Sequence, residues 1–206
     1  MPRVSHAAAA RELAARDPVM AELIESVGPP DIRAAQRTPF EALARAICFQ
    51  QLSGKAASTI FGRFVEACGG VLSPESVLGT AMEDLRGAGL SAAKALSVRD
   101  LSAKALDGTV PLDRLSRLKD DDLIERLVVV RGIGRWTAEM FLIFQLRRLD
   151  VWPVDDLGVR KGYARAYGLR ELPAPKALME LGEAFRPYRS IAAWYCWRAV
   201  ELVMPI

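Results

Sequence analysis

The chain has 206 residues, 51% hydrophobic and 26% charged, with a net charge of +3; this is the composition of a globular protein forming one sizeable domain or two small lobes, and it excludes a disordered or fibrous chain. No apolar run approaches the roughly 20 residues that span a bilayer, and Met1 to Ala15 carries charges where a signal peptide needs an apolar core, so a cytoplasmic protein with no membrane partner is expected. The single histidine, His6, and three scattered cysteines, Cys48, Cys68 and Cys196, leave no basis for a histidine-ligated zinc site, a histidine general base or a disulfide framework, and the mildly basic charge permits nucleic-acid binding without demanding it.

Helix signals recur from end to end and strand alternation is scarce, so the expected class is all-α. Asp17-Pro18 opens a helix that Gly28-Pro29-Pro30 closes. Thr38-Pro39-Phe40-Glu41 reads as a capping box, followed by Phe40, Leu43, Ala44, Ile47 and Cys48 on one face. Ser53 is placed to cap the next helix, with apolar face Ala57, Ile60, Phe61, Phe64 and Val65 and a stop at Gly69-Gly70. Short helices are expected from Ser73-Pro74, from Thr80 with Glu83, and from Ser91.

Asp120-Asp121-Asp122 precedes Leu123, Ile124, Leu127 and Val128, as suits a helix start where negative charge meets the positive end of the macrodipole. After Gly132-Ile133-Gly134 a more apolar helix is expected from Arg135 to about Arg147, with too many apolar residues for a single stripe. Asp155-Asp156 starts another, ending near Gly168, with Asp155 the expected cap or a supporting group. The last helices run from about Pro175 to Phe185 and from Pro187 to the end, the second carrying Trp194 and Trp197.

Two glycines one residue apart make a turn whose backbone can approach a ligand, and N–H groups at the helix start that follows bind an anion such as a phosphate. By itself the pattern is as well explained by a tight corner between two helices.

The run Leu127-Val128-Val129-Val130-Arg131-Gly132-Ile133-Gly134-Arg135-Trp136-Thr137-Ala138, followed by Pro153-Val154-Asp155-Asp156, resembles the helix-hairpin-helix base-excision glycosylases, and among them the DNA-3-methyladenine glycosylase II family. Gln50-Gln51-Leu52-Ser53-Gly54-Lys55-Ala56-Ala57, Leu85-Arg86-Gly87-Ala88-Gly89-Leu90-Ser91 with Lys94, and Arg186-Pro187-Tyr188-Arg189-Ser190 leading to Trp194 and Trp197 extend the match over most of the chain in order. Arg131 departs from the pattern, many relatives having proline or lysine there. The length leaves no room for the amino-terminal β domain of some relatives, so the compact all-helical type is expected.

The resemblance implies a single helix-hairpin-helix glycosylase domain over 1–206. One helical lobe covers about 38–155, the other about 1–37 with 156–206, and the active-site cleft lies between them. It implies a monomer acting on double-stranded DNA that contains damaged bases. Gly132, Ile133 and Gly134, with Arg135 at the helix start, would hold the DNA backbone, and carbonyls of Val128, Val130 and Ile133 would hold a structural monovalent cation, no other cofactor being required. The turn Gln51, Leu52, Ser53 would enter the minor groove, Gln51 filling the gap left by an extruded nucleotide.

Carried over residue by residue, Asp156 is the catalytic carboxylate, stabilising the positive charge that develops on the deoxyribose and orienting or deprotonating the attacking water. An aspartate at a helix start is also an ordinary cap, and the two roles are compatible. Trp136 occupies the place of the lysine that strand-cutting members use for a Schiff base, so a monofunctional enzyme is implied. Trp136 and Trp197 are the pocket candidates for cationic alkylated purines. Met140 stands where some relatives have an aromatic residue, and core packing is its more natural role. The competing readings are a non-catalytic helix-hairpin-helix DNA-binding module and a helix-turn-helix regulator; the latter needs a basic recognition helix where Met140 to Leu146 is apolar.

Overall fold

A computed structural model describes residues 4–202. Among the described residues twelve α-helices form in chain order: α1 (His6–Arg16), α2 (Pro18–Val27), α3 (Pro39–Phe49), α4 (Gly54–Ala67), α5 (Pro74–Gly79), α6 (Met82–Gly87), α7 (Ala92–Leu106), α8 (Asp120–Val128), α9 (Arg135–Met140), α10 (Leu157–Ala166), α11 (Pro175–Leu181) and α12 (Arg189–Glu201). Among the described residues there is no strand, and no helix is long and apolar enough to cross a membrane.

Many helix starts obey local side-chain chemistry. Asp17 accepts the Met20 N–H at 2.9 Å with Pro18 in the first turn of α2, and Thr38 and Glu41 satisfy each other's backbone N–H groups in a capping box at α3. Ser53 departs from expectation: it occupies the cap position of α4, but only its carbonyl, not its hydroxyl, serves the helix. Thr80 does not open α6 either. Its hydroxyl donates back to the Ser76 carbonyl at 2.8 Å, ending α5, and α6 begins after Ala81. The helix from Arg135 gives way after Met140 to a π-helical turn, Phe141–Gln145, two residues short of the expected end. Of the segment expected to be helical from Pro187 onward, α12 covers Arg189–Glu201, and residues 203–206 lie outside those described.

The chain divides into two compact units, one spanning Ala35–Phe141 and the other joining the residues up to Ala34 with those from Leu142 onward. In the central unit α7 packs against α3, α5 and α6, and α8 against α9, burying Leu43, Ile47, Phe64, Val77, Leu85, Val98, Leu101, Leu123 and Leu127. In the terminal unit α12 lies on α10, α2 and α1, around a core of Leu13, Met20, Val159, Tyr163, Phe185, Ile191 and Tyr195. Residues 142–155, expected in the central lobe, fall in this unit because Trp152 and Val154 are part of its core, with the Trp152 indole donating to the Leu178 carbonyl at 2.8 Å.

Two glycines of α10 set how closely α12 approaches. A Cβ on Gly162 would lie 1.8 Å from the Cys196 carbonyl oxygen, and one on Gly158 would lie 2.7 Å from Cδ1 of Trp197. Spaced four apart, both glycines lie on one helix face and leave it bare for the neighbour. The three cysteines are free and buried, and burial pushes the Cys48 thiol up to about 12, as for inert core thiols.

Candidate active site

In the terminal unit the site is built around Asp156. Its own N–H donates to the Pro153 carbonyl at 3.0 Å, and its backbone is extended, so the side chain turns back over the first turn of α10. Oδ1 accepts two hydrogen bonds, from the Val159 N–H at 2.8 Å and from the Trp197 indole Nε1 at 2.9 Å. The residue is 9% exposed. The cap is therefore Asp156 itself; Asp155, expected in that role, is exposed in the preceding turn, one residue too early for its side chain to meet the first turn of α10.

The indole reaches Asp156 because position 158 has no side chain: a Cβ there would stand 3.0 Å from Oδ1 and 3.1 Å from Nε1 of Trp197. Trp197 in turn stacks on Phe144, with ring centroids 5.7 Å apart and 29° between planes. Phe144 is 43% exposed, although Phe141, Leu142 and Ile143 before it are buried. The terminal unit thus brings together a buried carboxylate, the N–H that holds one of its oxygens, and an accessible aromatic pair. Phe144 and Gly158 are not distinguished by local pattern. The spacing of Gly158 and Gly162 is the one signal for the close helix approach.

In the central unit the hairpin follows α8. Gly132 has φ of +78°, and a Cβ there would meet Ser97 Oγ at 2.8 Å, so both conformation and proximity to α7 require glycine. Gly134 differs: its φ is −90°, and a Cβ would meet nothing within 4 Å. The Arg131 N–H donates to Asp100 Oδ2 at 2.7 Å and the Ile133 N–H to the Val130 carbonyl at 3.0 Å. The N–H groups of Gly132, Gly134 and Arg135 have no acceptor among the described residues. The Arg135 guanidinium is drawn along the helix to Glu139, 3.0 Å away.

Burial opposes the charge of Asp100, but the bond from Lys104, the Arg131 N–H and the two positive charges outweigh it and hold the carboxyl below its ordinary range. Trp136 is 48% exposed on α9, while Met140 is half-buried; both belong to the central unit, and Trp197 to the terminal one.

Gln51 stands in the turn between α3 and α4 with φ of +59°, a left-handed conformation costly for a residue with a side chain. It is exposed, as are Leu52 and Ser53. Gln50 donates through Nε2 to the Gly132 carbonyl at 2.8 Å, and Lys94 Nζ donates to the carbonyls of Cys48 and Gln50, each at 2.8 Å. These ties join positions far apart in sequence, which no local pattern reports.

The chain belongs to the helix-hairpin-helix superfamily of base excision repair proteins: a family model described as "HhH-GPD superfamily base excision DNA repair protein" matches residues 44–187. It is 38% identical over 185 residues to DNA-3-methyladenine glycosylase 1 of Schizosaccharomyces pombe, covering 87% of this chain and 81% of that protein. A structure of the 3-methyladenine DNA glycosylase of that yeast in complex with abasic DNA matches with a TM-score of 0.81 and 37% identity, over 95% of this chain and 97% of the other. A DNA-3-methyladenine glycosidase from Bacillus halodurans matches with a TM-score of 0.86 and 36% identity, over 93% and 88%.

Proposed function

We propose that this protein is a monofunctional DNA glycosylase of base excision repair that hydrolyses the N-glycosidic bond of alkylated purines of the 3-methyladenine and 7-methylguanine type. The observation that carries the reading is the Asp156 corner: one carboxylate oxygen fixed by the Val159 N–H and the Trp197 indole, beside an aromatic pair that includes the accessible Phe144 ring.

Chemistry on a base buried in a duplex requires extruding the nucleotide, at a cost of a few kcal/mol that is smaller for damaged or mispaired bases. The Gln51 turn fills the vacated space, with Leu52 and Ser53 beside it, while the amides of Gly132, Gly134 and Arg135 hold a backbone phosphate. Ile133, whose own N–H is engaged, contributes the buried side chain that anchors the hairpin.

An alkylated purine carries positive charge, which an aromatic face such as Phe144, Trp197 or Trp136 attracts by about 0.5–2 kcal/mol. As the bond from C1′ to the base nitrogen breaks, its electron pair leaves with the base, which departs neutral. Positive charge collects on the sugar, and Asp156 stabilises it. Water adds to C1′ and loses a proton, with Asp156 as acceptor. Trp136 offers no amine for a Schiff base, so the product is an intact strand with an abasic site.

The carbonyls of Val128 and Ile133 accept no hydrogen bond among the described residues, and that of Val130 accepts one; these three neutral oxygens, from the last residue of α8 and the hairpin after it, suit a structural monovalent cation that steadies the hairpin. The protein works as a monomer on damaged duplex DNA. Incubation with methylated duplex DNA, followed by assay of free base, is expected to show release by the wild type and release slowed by about 10²–10³-fold in Asp156→Asn. DNA binding without release by the wild type would instead identify a non-catalytic binding module.

A further inference from the structure

One side of α7 carries Lys94, Ser97 and Asp100, and each touches a different part of the hairpin or of the turn after α3. Asp100 accepts the Arg131 N–H at the hairpin's start, Ser97 lies against Gly132, and Lys94 holds the carbonyls of Cys48 and Gln50. Gln50 closes the circuit by donating to the Gly132 carbonyl. The left-handed Gln51 follows directly on the second carbonyl held by Lys94, where no regular helix fixes its position. The ammonium of Lys94 has two acceptors at the end of α3, where the helix leaves carbonyls without partners.

We propose that Lys94 is a positioning residue for extrusion of the damaged nucleotide, setting the Gln51 turn at a fixed distance from the hairpin that holds the phosphate. The proposal rests on the reading of Gln51 as the residue that fills the vacated space. A turn free to shift would hold the phosphate as well as before but would fill the gap less often, so the loss falls on lesions that must be unpaired and unstacked. A lesion already unpaired needs little help. A lysine serving only as a helix cap would lower stability and leave that distinction untouched.

The test measures single-turnover release of 7-methylguanine from one duplex in which it is paired with cytosine and another in which it lies opposite an abasic site, for the wild type, Lys94→Met, Lys94→Arg and Gln51→Ala. Lys94→Met is expected to slow release from the paired lesion about tenfold, the size of one lost charged hydrogen bond, and to leave the unpaired lesion within about twofold. Lys94→Arg, which keeps a cationic donor, restores most of the difference. Equal effects of Lys94→Met on both lesions, or none on either, overturn the proposal. If Gln51→Ala leaves the paired-to-unpaired ratio at the wild-type value, it is the role of Gln51 that fails; if Gln51→Ala changes the ratio and Lys94→Met does not, it is the role of Lys94. Should thermal unfolding show Lys94→Met to be misfolded, Lys94→Gln is put through the same comparison with the same criteria.

Discussion

The hairpin of the central unit and the Asp156 corner of the terminal unit solve opposite problems. The hairpin presents peptide groups, and side chains from outside it hold them: Asp100 accepts from the Arg131 N–H and Gln50 donates to the Gly132 carbonyl. At Asp156 the arrangement is reversed, because backbone and glycine make way for side chains, the Val159 N–H and bare Gly158 letting one indole meet one carboxylate. A surface proposed to hold any DNA backbone can be built from amides common to every residue. A centre proposed to stabilise one developing charge needs a particular group in a particular place.

The sharpest test of this contrast is Asp156→Asn. Removing the carboxylate charge while keeping an oxygen for the Val159 and Trp197 donors is expected to slow base release by about 10²–10³-fold, with affinity for duplex DNA measured by fluorescence anisotropy unchanged.

The two hairpin glycines break the comparison within a single turn. Gly132→Ala forces a side chain into left-handed backbone against Ser97 and is expected to lower stability by about 1–3 kcal/mol in thermal unfolding. Gly134→Ala meets neither obstacle, so its melting temperature is expected to hold while DNA affinity falls about tenfold, the methyl group standing where the phosphate must approach. A lowered melting temperature for Gly134→Ala would show that protein packing, not the ligand, demands that glycine.

Trp197→Phe keeps a ring to stack on Phe144 but removes the donor to Oδ1. A loss of about 5–10-fold in single-turnover release, the worth of one hydrogen bond, is expected.

The smallest effect is the pH dependence carried by Asp100. Its pKa is lowered in the folded protein, so its stabilisation is present above the ordinary carboxylate range and is lost as pH falls through the folded value. The difference in melting temperature between the wild type and Asp100→Asn is therefore expected to be greatest near neutral pH and to shrink in acid.

What the sequence revealed followed the range of the interactions involved. The Thr38–Glu41 box and the Asp17 cap act over three residues and were legible, as was the reach of α10 to its stop beside Gly168, where φ is +64°. Thr80 and Ser53 were misread because a hydroxyl before a helix has more than one carbonyl or amide within reach, and the choice depends on how the preceding helix ends. Phe144 was hidden in an apolar run that reads as wholly buried, and its exposure follows from the packing of its neighbours rather than their hydrophobicity.

Asp156 was marked by family resemblance, but its partnership with Trp197 depends on α12 lying on α10. Lys94 stood within a matching stretch with nothing to say that it reaches back across the unit to the end of α3. Such ties become visible only once distant segments are placed together.

The unengaged amides of the hairpin also bear on how the protein responds to its ionic surroundings. A lysine or arginine that neutralises a phosphate releases a counterion from the DNA, and its share of the affinity weakens steeply as salt rises. The N–H groups of Gly132, Gly134 and Arg135 carry only partial charge, so the grip proposed for them would release no such ion and would persist as the salt concentration around the DNA changes.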